Sequence, residues 1–443
     1  MMKLAKPIPL LVGEIFVDFT LTEPGKENKL RLGGVAHAAR GFWALDMPYS
    51  AAVILPRYLE ETARKYLKAF GCVDFHVLGQ VMGAPNVTVI HDATEVADQE
   101  YDTLLREEKT VELLGLDLSN EAFEDILVFP GSFDLVEVCE SLPATSRLHL
   151  DIAYDIDTPD VLAKLPQAVE TVLISTSSPL FSSIAESSLQ GLAKSFEACA
   201  PTALVLKENR GGARIFLARS MATEALPAQL GTTVNSVGVG DVFAAAYVAN
   251  LEHGCIEAGW RATYAAAAYS QTTYPDLFKT YVRRDLSLTV EEMQGLGGVL
   301  LPWEKRREYP IYLAAPDFSY GDRRAIDKVI ASLRYHNFFV RRPVVENGEL
   351  PSGSNPSALQ DTFQADYDLL KKCSLLFAVP TGRDPGTLVE LGLAIEARVP
   401  VVVYDPAGEN ANTMVMAGAQ HYSRDLDSCL NAVFRILSGV DQQ

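Results

Sequence analysis

A glycine-rich turn, Asn235-Ser-Val-Gly-Val-Gly-Asp-Val-Phe243, stands where a β-like segment meets an alanine-rich helix. Backbone N–H groups point outward at the start of a helix, and the helix dipole favours negative charge there. A phosphate group would therefore fit this turn, with the Asp241 carboxylate at its rim. Many strand-to-helix turns need glycine only for positive φ, so a purely structural turn is the alternative.

A second carboxylate that could do chemistry is Glu390, in the segment Asp384-Pro-Gly-Thr-Leu-Val-Glu-Leu-Gly-Leu-Ala-Ile395. Thr387 and Glu390 have the spacing of a capping box, in which the glutamate accepts a hydrogen bond from an amide at the helix start. The spacing alone favours this structural interpretation. Only the residues around the segment can favour a reactive carboxylate.

The balance of charges limits the partners of the protein. The 443 residues carry 57 acidic and 38 basic side chains, for a net charge of -19. Such a surface repels nucleic acids and anionic membranes, so we expect small-molecule substrates and neither of these partners. The length exceeds that of a single typical core and predicts two or three domains.

The six cysteines are scattered without a Cys-x-x-Cys pair, and the histidines do not cluster. This pattern predicts reduced thiols in a cytoplasmic protein and no bound metal of the zinc type. The apolar segment at residues 9–18 is interrupted by Glu14 and lacks a small-residue cleavage site. It therefore predicts a buried strand rather than a signal peptide. The sequence has no uncharged apolar run of about 18 residues, so we expect no membrane span.

The elements that must position these carboxylates are short apolar runs alternating with helical patterns. Strands separated by helices predict crossover connections and a mostly parallel α/β sheet. Ligands of such sheets collect at the carboxyl ends of the strands, where Asp18, Asp151 and the 235–243 turn would lie. We expect Asp151 to cap a loop, and residues 19–32 to form an edge hairpin or lid. The predicted strands are 9–18, 51–55, 126–129, 148–152, 171–175 and 203–206, and the predicted helices are 59–70, 134–141, 189–199, 242–251 and 256–269.

A break in composition at residues 295–308, rich in glycine and charge, predicts a domain boundary. We therefore expect one domain at residues 1–300 and another at 308–443. The second domain has the pattern of a small flavodoxin-like sheet with a loop at residues 348–358. Its predicted strands are 311–315, 338–340, 375–379 and 400–404, and its predicted helices are 322–335, 366–372 and 386–397.

Residues 8–290 resemble the ribokinase-like (PfkB) carbohydrate kinase family. The strand ending in Asp18, the Gly33-Gly34 turn, the Leu-Lys-Glu-Asn-Arg-Gly-Gly-Ala segment from Leu206 and the Gly-Val-Gly-Asp turn occur in that family's order. The resemblance implies a ribokinase-like sheet with a small lid. It also implies transfer of the ATP γ-phosphate, with Mg²⁺, to a hydroxyl of a sugar or nucleoside. Phosphoryl transfer needs positioning and charge stabilisation more than a strong base, which suits the turn.

The roles of single residues in this kinase-like domain are what the resemblance implies. Asp241 would act as the catalytic base, and His37 is either a substrate contact or a structural residue of its helix. The residues implied in substrate binding are Asp18, Gly33, Gly34 and His37, and those implied in nucleotide binding are Asn235, Gly238, Val239 and Gly240.

The sequence departs from the pattern of the kinase family at three places. Asn235-Ser236 replaces an Asp-Thr pair, and His37 replaces an asparagine. Residues 175–180, Ser-Thr-Ser-Ser-Pro-Leu, replace an Asn-x-x-Glu motif that organises Mg²⁺. Because the carboxylate of that motif is missing, we expect weaker metal-linked activation.

Residues 309–437 resemble the nucleoside 2-deoxyribosyltransferase family. Tyr312, Asp366, Asp384, the Glu390-Leu-Gly392 motif and Asn412 match its pattern in register. The resemblance implies a double displacement, in which Glu390 attacks the anomeric carbon and forms a glycosyl-enzyme. Tyr312 would orient the carboxylate, and Gly392 and Asn412 would contact the substrate.

Two aspartates are implied in handling the base that leaves. Asp366 and Asp384 would share holding the base and protonating it, and the sequence does not divide these roles. Asp368 competes with Asp366, whose structural alternative is a charge at a helix N-terminus. Related hydrolases of nucleoside monophosphates have small hydroxyl residues where Asp384 and Asn412 stand here. Because a carboxylate repels a phosphate in a dry site, we predict an unphosphorylated nucleoside as substrate.

The two resemblances together predict a bifunctional enzyme of nucleoside and sugar metabolism. The alternative is a single-activity transferase or nucleoside hydrolase whose kinase-like domain only binds a ligand or serves as a scaffold. Glu390 and Asp241 argue against a sensor with two dead sites. The transferase family builds its sites with a neighbouring subunit, so the resemblance also implies a homo-oligomer.

Overall fold

Two units make up the protein, each built around a sheet of apolar strands. The computed structural model describes residues 8–22, 27–99, 101–103, 108–153, 155–184, 188–319, 321–351 and 353–440. One unit comprises Met1–Thr94 and Gln99–Leu300, and the other comprises Glu95–Asp98 and Leu301–Gln443. Within the described ranges, no helix combines the length and the apolar character needed to cross a membrane.

The first unit contains fourteen strands and nine α-helices within the described residues. The strands are β1 (Leu10–Glu14), β2 (Val17–Thr20), β3 (Lys29–Leu32), β4 (Tyr49–Leu55), β5 (Cys72–Met82), β6 (Val87–Ile90), β7 (Tyr101–Thr103), β8 (Thr110–Leu113), β9 (Asp125–Val128), β10 (Arg147–Asp151), β11 (Ala168–Ser175), β12 (Ala203–Lys207), β13 (Ala213–Leu217) and β14 (Ala222–Leu226). The helices are α1 (Val35–Ala44), α2 (Glu60–Ala69), α3 (Leu135–Glu140), α4 (Pro179–Ser183), α5 (Leu189–Ser195), α6 (Val239–Ala249), α7 (Cys255–Ser270), α8 (Pro275–Asp285) and α9 (Val290–Leu296).

Ten of these strands form one sheet in the order β14-β13-β12-β11-β10-β9-β1-β4-β5-β8. The strands from β12 to β5 pair in parallel, and only β13, β14 and β8 pair antiparallel. Every residue of β1 and β4 is buried, as expected for parallel strands in the middle of a covered sheet. Helices α1, α6 and α7 pack against one another and share a core with these strands.

The predicted strand at residues 9–18 is wrong, because the chain leaves the large sheet after Glu14. Val17–Thr20 forms β2 of a separate four-stranded sheet with the order β3-β2-β6-β7. The uninterrupted apolar run in β1 suits a buried strand, whereas alternating apolar and polar residues in β2 suit a sheet with one wetter face. Asp18 therefore lies within the small sheet, directly opposite Arg31 of β3. The predicted hairpin at residues 19–32 is represented by β2 and β3, and its residues 23–26 lie outside the described residues.

The second unit contains five parallel strands and six α-helices within the described residues. The strands are β15 (Ile311–Ala314), β16 (Val340–Arg341), β17 (Leu375–Ala378), β18 (Val401–Tyr404) and β19 (His421–Ser423). The helices are α10 (Arg324–Tyr335), α11 (Pro343–Asn347), α12 (Pro356–Leu370), α13 (Pro385–Glu396), α14 (Thr413–Gly418) and α15 (Leu426–Ser438). The sheet order β16-β15-β17-β18-β19 is the 2-1-3-4-5 order of flavodoxin-like sheets. The predicted fold class, two α/β units of which the first has a mostly parallel sheet and a small lid sheet, is confirmed.

Helix α12 begins ten residues earlier than the sequence pattern predicts. Asn355 caps it, because its Oδ1 accepts a hydrogen bond from the Ala358 amide at 2.9 Å, and Pro356 occupies the first helical position. The end of the predicted loop at residues 348–358 is therefore helical, and its residue 352 lies outside the described residues. Asp366 lies well inside α12, so the interpretation as an N-terminal helix charge is wrong.

Candidate active sites

Tyr312 and Glu390 meet in the second unit at the point where the strand order reverses. The chain pairs β15 with β16 on one side and then crosses to β17 on the other, which is where ligands bind in open α/β sheets. Tyr312 lies on β15 and is fully buried. Its phenolic hydroxyl donates a hydrogen bond to Glu390 Oε1 at 2.6 Å. The structure thus places these two side chains in contact, and their catalytic roles stay predictions.

Burial raises the pKa of Glu390 to about 7. The hydrogen bond from Tyr312 lowers this pKa, and the charges of Asp366 and Asp384 raise it. Burial and the neighbouring Glu390 also raise the pKa of Tyr312, so the phenol keeps its proton and remains a donor. The site thus holds a carboxylate that changes its protonation near neutral pH.

Asp384, and not Thr387, caps helix α13. Its Oδ2 accepts hydrogen bonds from the Thr387 amide at 2.7 Å and from the Thr387 hydroxyl at 2.8 Å. Pro385 follows at the first helical position. Glu390 lies in the second turn, where its carboxylate accepts from Tyr312 instead of a helix-start amide. The capping-box interpretation of Glu390 is therefore wrong.

Asp366 and Asp368, which compete for one predicted role, have different electrostatic surroundings. Asp366 is half-buried, its Oδ1 accepts a hydrogen bond from Asn347 Nδ2 at 2.7 Å, and its charge raises the pKa of Glu390. Burial raises the pKa of Asp366 itself, and the bond from Asn347 lowers it. Asp368 instead forms an ion pair with Lys371 at 2.8 Å. Asp366 is thus the member of the pair that interacts with Glu390.

Asn412 and Gly392 are exposed. Asn412 caps α14, with its Oδ1 accepting hydrogen bonds from the Met414 and Val415 amides at 3.1 and 3.2 Å. Gly392 follows Glu390 by two positions on α13, and helix positions two apart do not face each other. A Cβ at Gly392 would meet open space. Their substrate contacts remain predictions.

A buried ion-pair cluster near this site was missed by sequence reasoning. Asp317, which follows β15, is 4% exposed and pairs with Arg342 at 2.7 Å and with Arg323 at 2.9 Å. The three residues come from separate segments, so their spacing gives no signal. The cluster fixes the loops that follow β15 and β16 beside the switch point.

In the first unit, the backbone conformation of Gly238 and the neighbouring His37 both require glycine at this position of the turn. Gly238 has φ 81° in the left-handed region and forms the N-cap of α6. A Cβ at this position would lie 2.2 Å from Cγ of His37. The amide groups of Gly240 and Asp241 have no acceptor within the described part of the chain. The Val239 amide donates to the Ser236 carbonyl at 3.1 Å, so it is engaged within the protein.

Asp241 is a partly buried carboxylate in the first turn of α6. Burial and the nearby Asp151 raise its pKa to about 7, with Asp18 adding to the effect, and Lys207 and Arg31 lower it. The side chain is therefore partly protonated at neutral pH. A carboxylate tuned in this way can accept a proton and later release it.

Asp18 ends a chain of buried hydrogen bonds. Arg40 Nη1 donates to the Tyr269 hydroxyl at 2.7 Å, and that hydroxyl lies 2.8 Å from His37 Nδ1. His37 Nε2 lies 2.8 Å from Asp18 Oδ2, so we assign the ring proton to Nε2. Burial lowers the pKa of His37 to about 4, although Asp18 acts in the opposite direction. Both nitrogens of a neutral His37 are therefore engaged within the protein.

Arg31 is a residue of this site that the sequence did not indicate. Its Nε donates to Asp18 Oδ2 at 3.3 Å, and its Nη2 donates to Asn235 Oδ1 at 2.9 Å and to the Val237 carbonyl at 3.0 Å. Burial would raise the pKa of Asp18, but the hydrogen bond from His37 and the charges of Arg31 and Arg40 lower it. Arg31 thus ties the small sheet to the glycine turn.

The glycine pair packs against the first two strands. A Cβ at Gly33 would lie 2.0 Å from Asp18 Oδ1, and one at Gly34 would lie 2.2 Å from the Glu14 carbonyl oxygen. Gly34 has φ 59° and caps α1. These contacts explain why the turn has no side chains, and they place Gly33 beside Asp18 and Gly34 beside Glu14.

The position of Asp151 at a strand end predicted that it caps a loop, and this prediction is wrong. Its Oδ2 accepts a hydrogen bond from Lys207 Nζ at 2.5 Å, and this ammonium also lies 3.5 Å from the Gly240 carbonyl oxygen. Burial raises the pKa of Asp151, against the lowering effect of Lys207. Lys207 belongs to the segment that the sequence resemblance used, but no role was predicted for it.

Comparison with known families shows that residues 311–427 match the model of the nucleoside 2-deoxyribosyltransferase family. The resemblance predicted for residues 309–437 is confirmed over this range. Comparison with curated protein sequences gives no match.

The solved structures to which the chain is similar include kinases of the predicted family. Ribokinase from Giardia lamblia is 14% identical, with a TM-score of 0.48 over 64% of this chain and 99% of the other. Ribokinase II from E. coli with ATP and Mg²⁺ is 14% identical, with a TM-score of 0.45 over 63% and 99%. The nucleoside kinase of Burkholderia thailandensis with inosine is 16% identical, with a TM-score of 0.47 over 63% and 96%. Because these TM-scores lie below 0.5, we assign roles from the side-chain geometry alone.

Proposed function

We propose that the second unit cleaves or transfers the N-glycosidic bond of a nucleoside or deoxynucleoside, with Glu390 as the nucleophile. The observation that carries this proposal is the 2.6 Å hydrogen bond from Tyr312 to Glu390 at the switch point, within the residues that match the transferase family. The bond leaves Glu390 Oε2 to attack, because it occupies Oε1. It also holds the carboxylate in one orientation.

The reaction balances as a double displacement. An oxygen of the Glu390 carboxylate forms a bond to the anomeric carbon, and the bond from that carbon to the base nitrogen breaks with its electron pair going to the base. An acid supplies a proton to the leaving base. A second base, or water, then attacks the same carbon and releases the Glu390 carboxylate. The attacking group loses its proton to the aspartate that served as the acid. Which of these acceptors is used decides between transfer and hydrolysis.

Asp366 is the better proton donor of the two aspartates. Burial raises its pKa above the usual value for an aspartate, so its carboxyl group holds a proton more readily. Asp384 uses Oδ2 to cap α13, which suits a residue that positions the helix and the base. An acid must be protonated before the bond breaks, and this favours Asp366 for that step.

The substrate of this site is an unphosphorylated nucleoside. Asp384, close enough to raise the pKa of Glu390, adds negative charge to a site that already contains Glu390 and Asp366. A 5′-phosphate would be repelled there. Chromatography of base release from deoxynucleosides and from their 5′-monophosphates, with and without a second free base, tests the proposal. Release only from the nucleosides is expected, whereas a preference for the monophosphates contradicts it.

A second activity is favoured by Asp241. Its carboxylate, with a pKa of about 7, stands in the first turn of α6 beside the unpaired amides of Gly240 and Asp241. We propose that this unit transfers a phosphoryl group from ATP to a hydroxyl of a sugar or nucleoside, with Asp241 as the base. Bound ATP would supply the phosphoryl group, and the helix N-terminus would hold phosphate oxygens.

The alternative is that the first unit only binds a ligand or serves as a scaffold. The pairing of Asp18 with His37 and Arg31 favours this alternative, since a substrate hydroxyl must compete with both. ATP consumption across a panel of sugars and nucleosides separates the two. Turnover that is lost in Asp241→Asn supports the kinase, and a wild type as inactive as this variant supports the alternative.

A further inference from the structure

Three adjacent parallel strands end together beside the first turn of α6. Strands β10, β11 and β12 are neighbours in the sheet and end at Asp151, Ser175 and Lys207. Lys207 Nζ lies 2.5 Å from Asp151 Oδ2 and 3.5 Å from the Gly240 carbonyl oxygen. The ammonium group therefore sits between the edge of the sheet and the glycine turn.

Buried oxygen atoms without a protein partner collect at the same edge. Within the described residues, three buried oxygen atoms have no hydrogen-bond partner, namely Asp151 Oδ1, Thr176 Oγ1 and Ser178 Oγ. The three side chains are 3%, 3% and 1% exposed. The Thr176 amide donates to the Lys207 carbonyl at 3.0 Å, which places this threonine beside the lysine. Because a buried polar atom without a partner costs about 1–3 kcal/mol, three of them at one edge point to a ligand that satisfies them.

The side chains at this edge do not fit a resident Mg²⁺ ion. Mg²⁺ takes octahedral oxygen ligands and is usually held by one or two carboxylates together with substrate phosphates. Among the last residues of β10, β11 and β12, Asp151 is the carboxylate, and the Lys207 ammonium is already paired with it. A divalent cation beside this ammonium would be repelled by it. The end of β11 offers hydroxyl groups, which donate to phosphate oxygens as well as accept.

We propose that Lys207 takes the place of a divalent cation in the first unit, so that this site binds a nucleotide phosphate without Mg²⁺. The phosphate oxygens would accept from the Lys207 ammonium, from the unpaired amides of Gly240 and Asp241, and from the Thr176 and Ser178 hydroxyls. Asp151 positions the ammonium. This inference rests on the proposed kinase function and changes its cofactor requirement from ATP with Mg²⁺ to ATP alone.

Calorimetric titration of the full chain tests the inference, with ATP and with inorganic phosphate as separate probes, each in EDTA and in Mg²⁺. We expect the dissociation constant of ATP to agree within about threefold between EDTA and Mg²⁺. Lys207→Met should weaken ATP binding about 10- to 100-fold, because it removes a charge-assisted hydrogen bond. Lys207→Arg keeps the charge and should bind ATP more tightly than Lys207→Met. Lys194→Met, on the exposed surface of α5, is the matched control and should leave the dissociation constant of ATP unchanged.

Lys207→Met leaves the buried Asp151 unpaired, which by itself can destabilise the fold. The double variant Asp151→Asn with Lys207→Met removes both charges and should also lose ATP binding. Asp151→Asn alone keeps the Lys207 ammonium but removes the charge that positions it, so it should weaken ATP binding in EDTA less than Lys207→Met does. Thermal unfolding of each variant shows whether it is folded.

Several outcomes overturn the inference and separate it from the kinase proposal. ATP binding or turnover that requires Mg²⁺ refutes the role of Lys207 and leaves the kinase proposal standing. Equal ATP affinity of the wild type and of a folded double variant also refutes the role of Lys207 and leaves the kinase proposal standing. Absence of ATP binding in both EDTA and Mg²⁺ overturns both proposals. Binding of inorganic phosphate without ATP shows that the anion does not come from a nucleotide.

Discussion

At Glu390, the hydrogen bond that orients the carboxylate also sets the pH at which it ionises. The nucleophile must be ionised to attack, and its pKa of about 7 keeps part of it protonated at neutral pH. Replacing Glu390 with glutamine keeps its shape and the acceptor for Tyr312 but removes the nucleophile. We expect base release by Glu390→Gln to fall at least about 10³-fold. Glu396→Gln, an exposed position of the same helix, is the control, and a loss of similar size there would contradict the assignment.

Tyr312→Phe should change the pH dependence of kcat/KM more than it changes the maximum value of kcat/KM. In the wild type, kcat/KM should rise with pH through about 7, because the carboxylate is the attacking form. The Tyr312 hydrogen bond stabilises that carboxylate, so its removal raises the pKa of Glu390 and moves the rising limb to higher pH by roughly one unit. Initial rates of base release between pH 5 and 9 measure this. Tyr404→Phe on β18 should leave the limb in place, and an unmoved limb in Tyr312→Phe rules out the role.

Asp241 should decrease stability where it is ionised. The folded pKa of about 7 lies above the usual value of 3.8, so the unfolded chain binds fewer protons than the folded one between these pH values. Stability from this group is therefore lost as pH rises from about 4 to about 7. Asp241→Asn should raise the apparent Tm at pH 8 and have little effect at pH 4. Calorimetric melts at the two pH values test this, and a lower Tm at pH 8 would contradict it.

Individual residues of the sites differ in how well the sequence indicates them. Tyr312 and Glu390 could be predicted, because the motif on α13 and a strand tyrosine match one family pattern. Arg31 could not, since its contact with Asn235 spans 204 positions and depends on how β3 is placed. Lys207 stands in a recognised segment, but only the sheet order, in which β11 separates β10 from β12 and the three strands end together, brings it to Asp151.

At the scale of elements, the apolar runs of buried parallel strands are the part that the sequence predicts well. Each predicted strand after the first has a counterpart, although its boundaries shift by up to three residues. The division of residues 9–18 between two sheets was missed, because a run of strand-forming residues does not show where the chain changes sheets. The start of α12 was missed because its Ser-Gly-Ser-Asn-Pro approach has the composition of a loop, although Asn355-Pro356 is a helix-start signal.

The same substitution should have opposite effects at two helix glycines. Gly238→Ala introduces a Cβ 2.2 Å from Cγ of His37 at a residue whose φ is 81°. We therefore expect the free energy of unfolding to fall by about 2 kcal/mol or more and ATP turnover to be lost. Gly392→Ala places its Cβ in open space inside α13 and should stabilise by about 0.5–1 kcal/mol. Denaturant unfolding of both variants gives the signs. Loss of base release in a stabilised Gly392→Ala would mean that the substrate contacts this position.

At the scale of the whole molecule, two α/β units each carry a carboxylate with a pKa of about 7, in the first turn of α6 and in the second turn of α13. The net charge of -19 gives neither site a general attraction for anions. The glycine turn has Lys207, Arg31 and helix amides as local donors, whereas the Glu390 site gathers Asp366 and Asp384. The first arrangement suits a phosphate, and the second suits an uncharged nucleoside.

The two proposed activities should therefore be separable in one chain. Glu390→Gln should abolish base release and leave ATP consumption within about twofold of wild type, and Asp241→Asn should do the reverse, because each activity is proposed for a separate site in its own unit. The full chain is incubated with mixed deoxynucleosides and free bases, with and without ATP, and the products are identified by mass. A bifunctional enzyme yields exchanged or free bases in both conditions and a phosphorylated sugar or nucleoside only with ATP. Base exchange or release without any phosphorylated product shows that the first unit binds a ligand or acts as a scaffold. Loss of both activities in either single variant would contradict independent sites and show that one unit depends on the chemistry of the other.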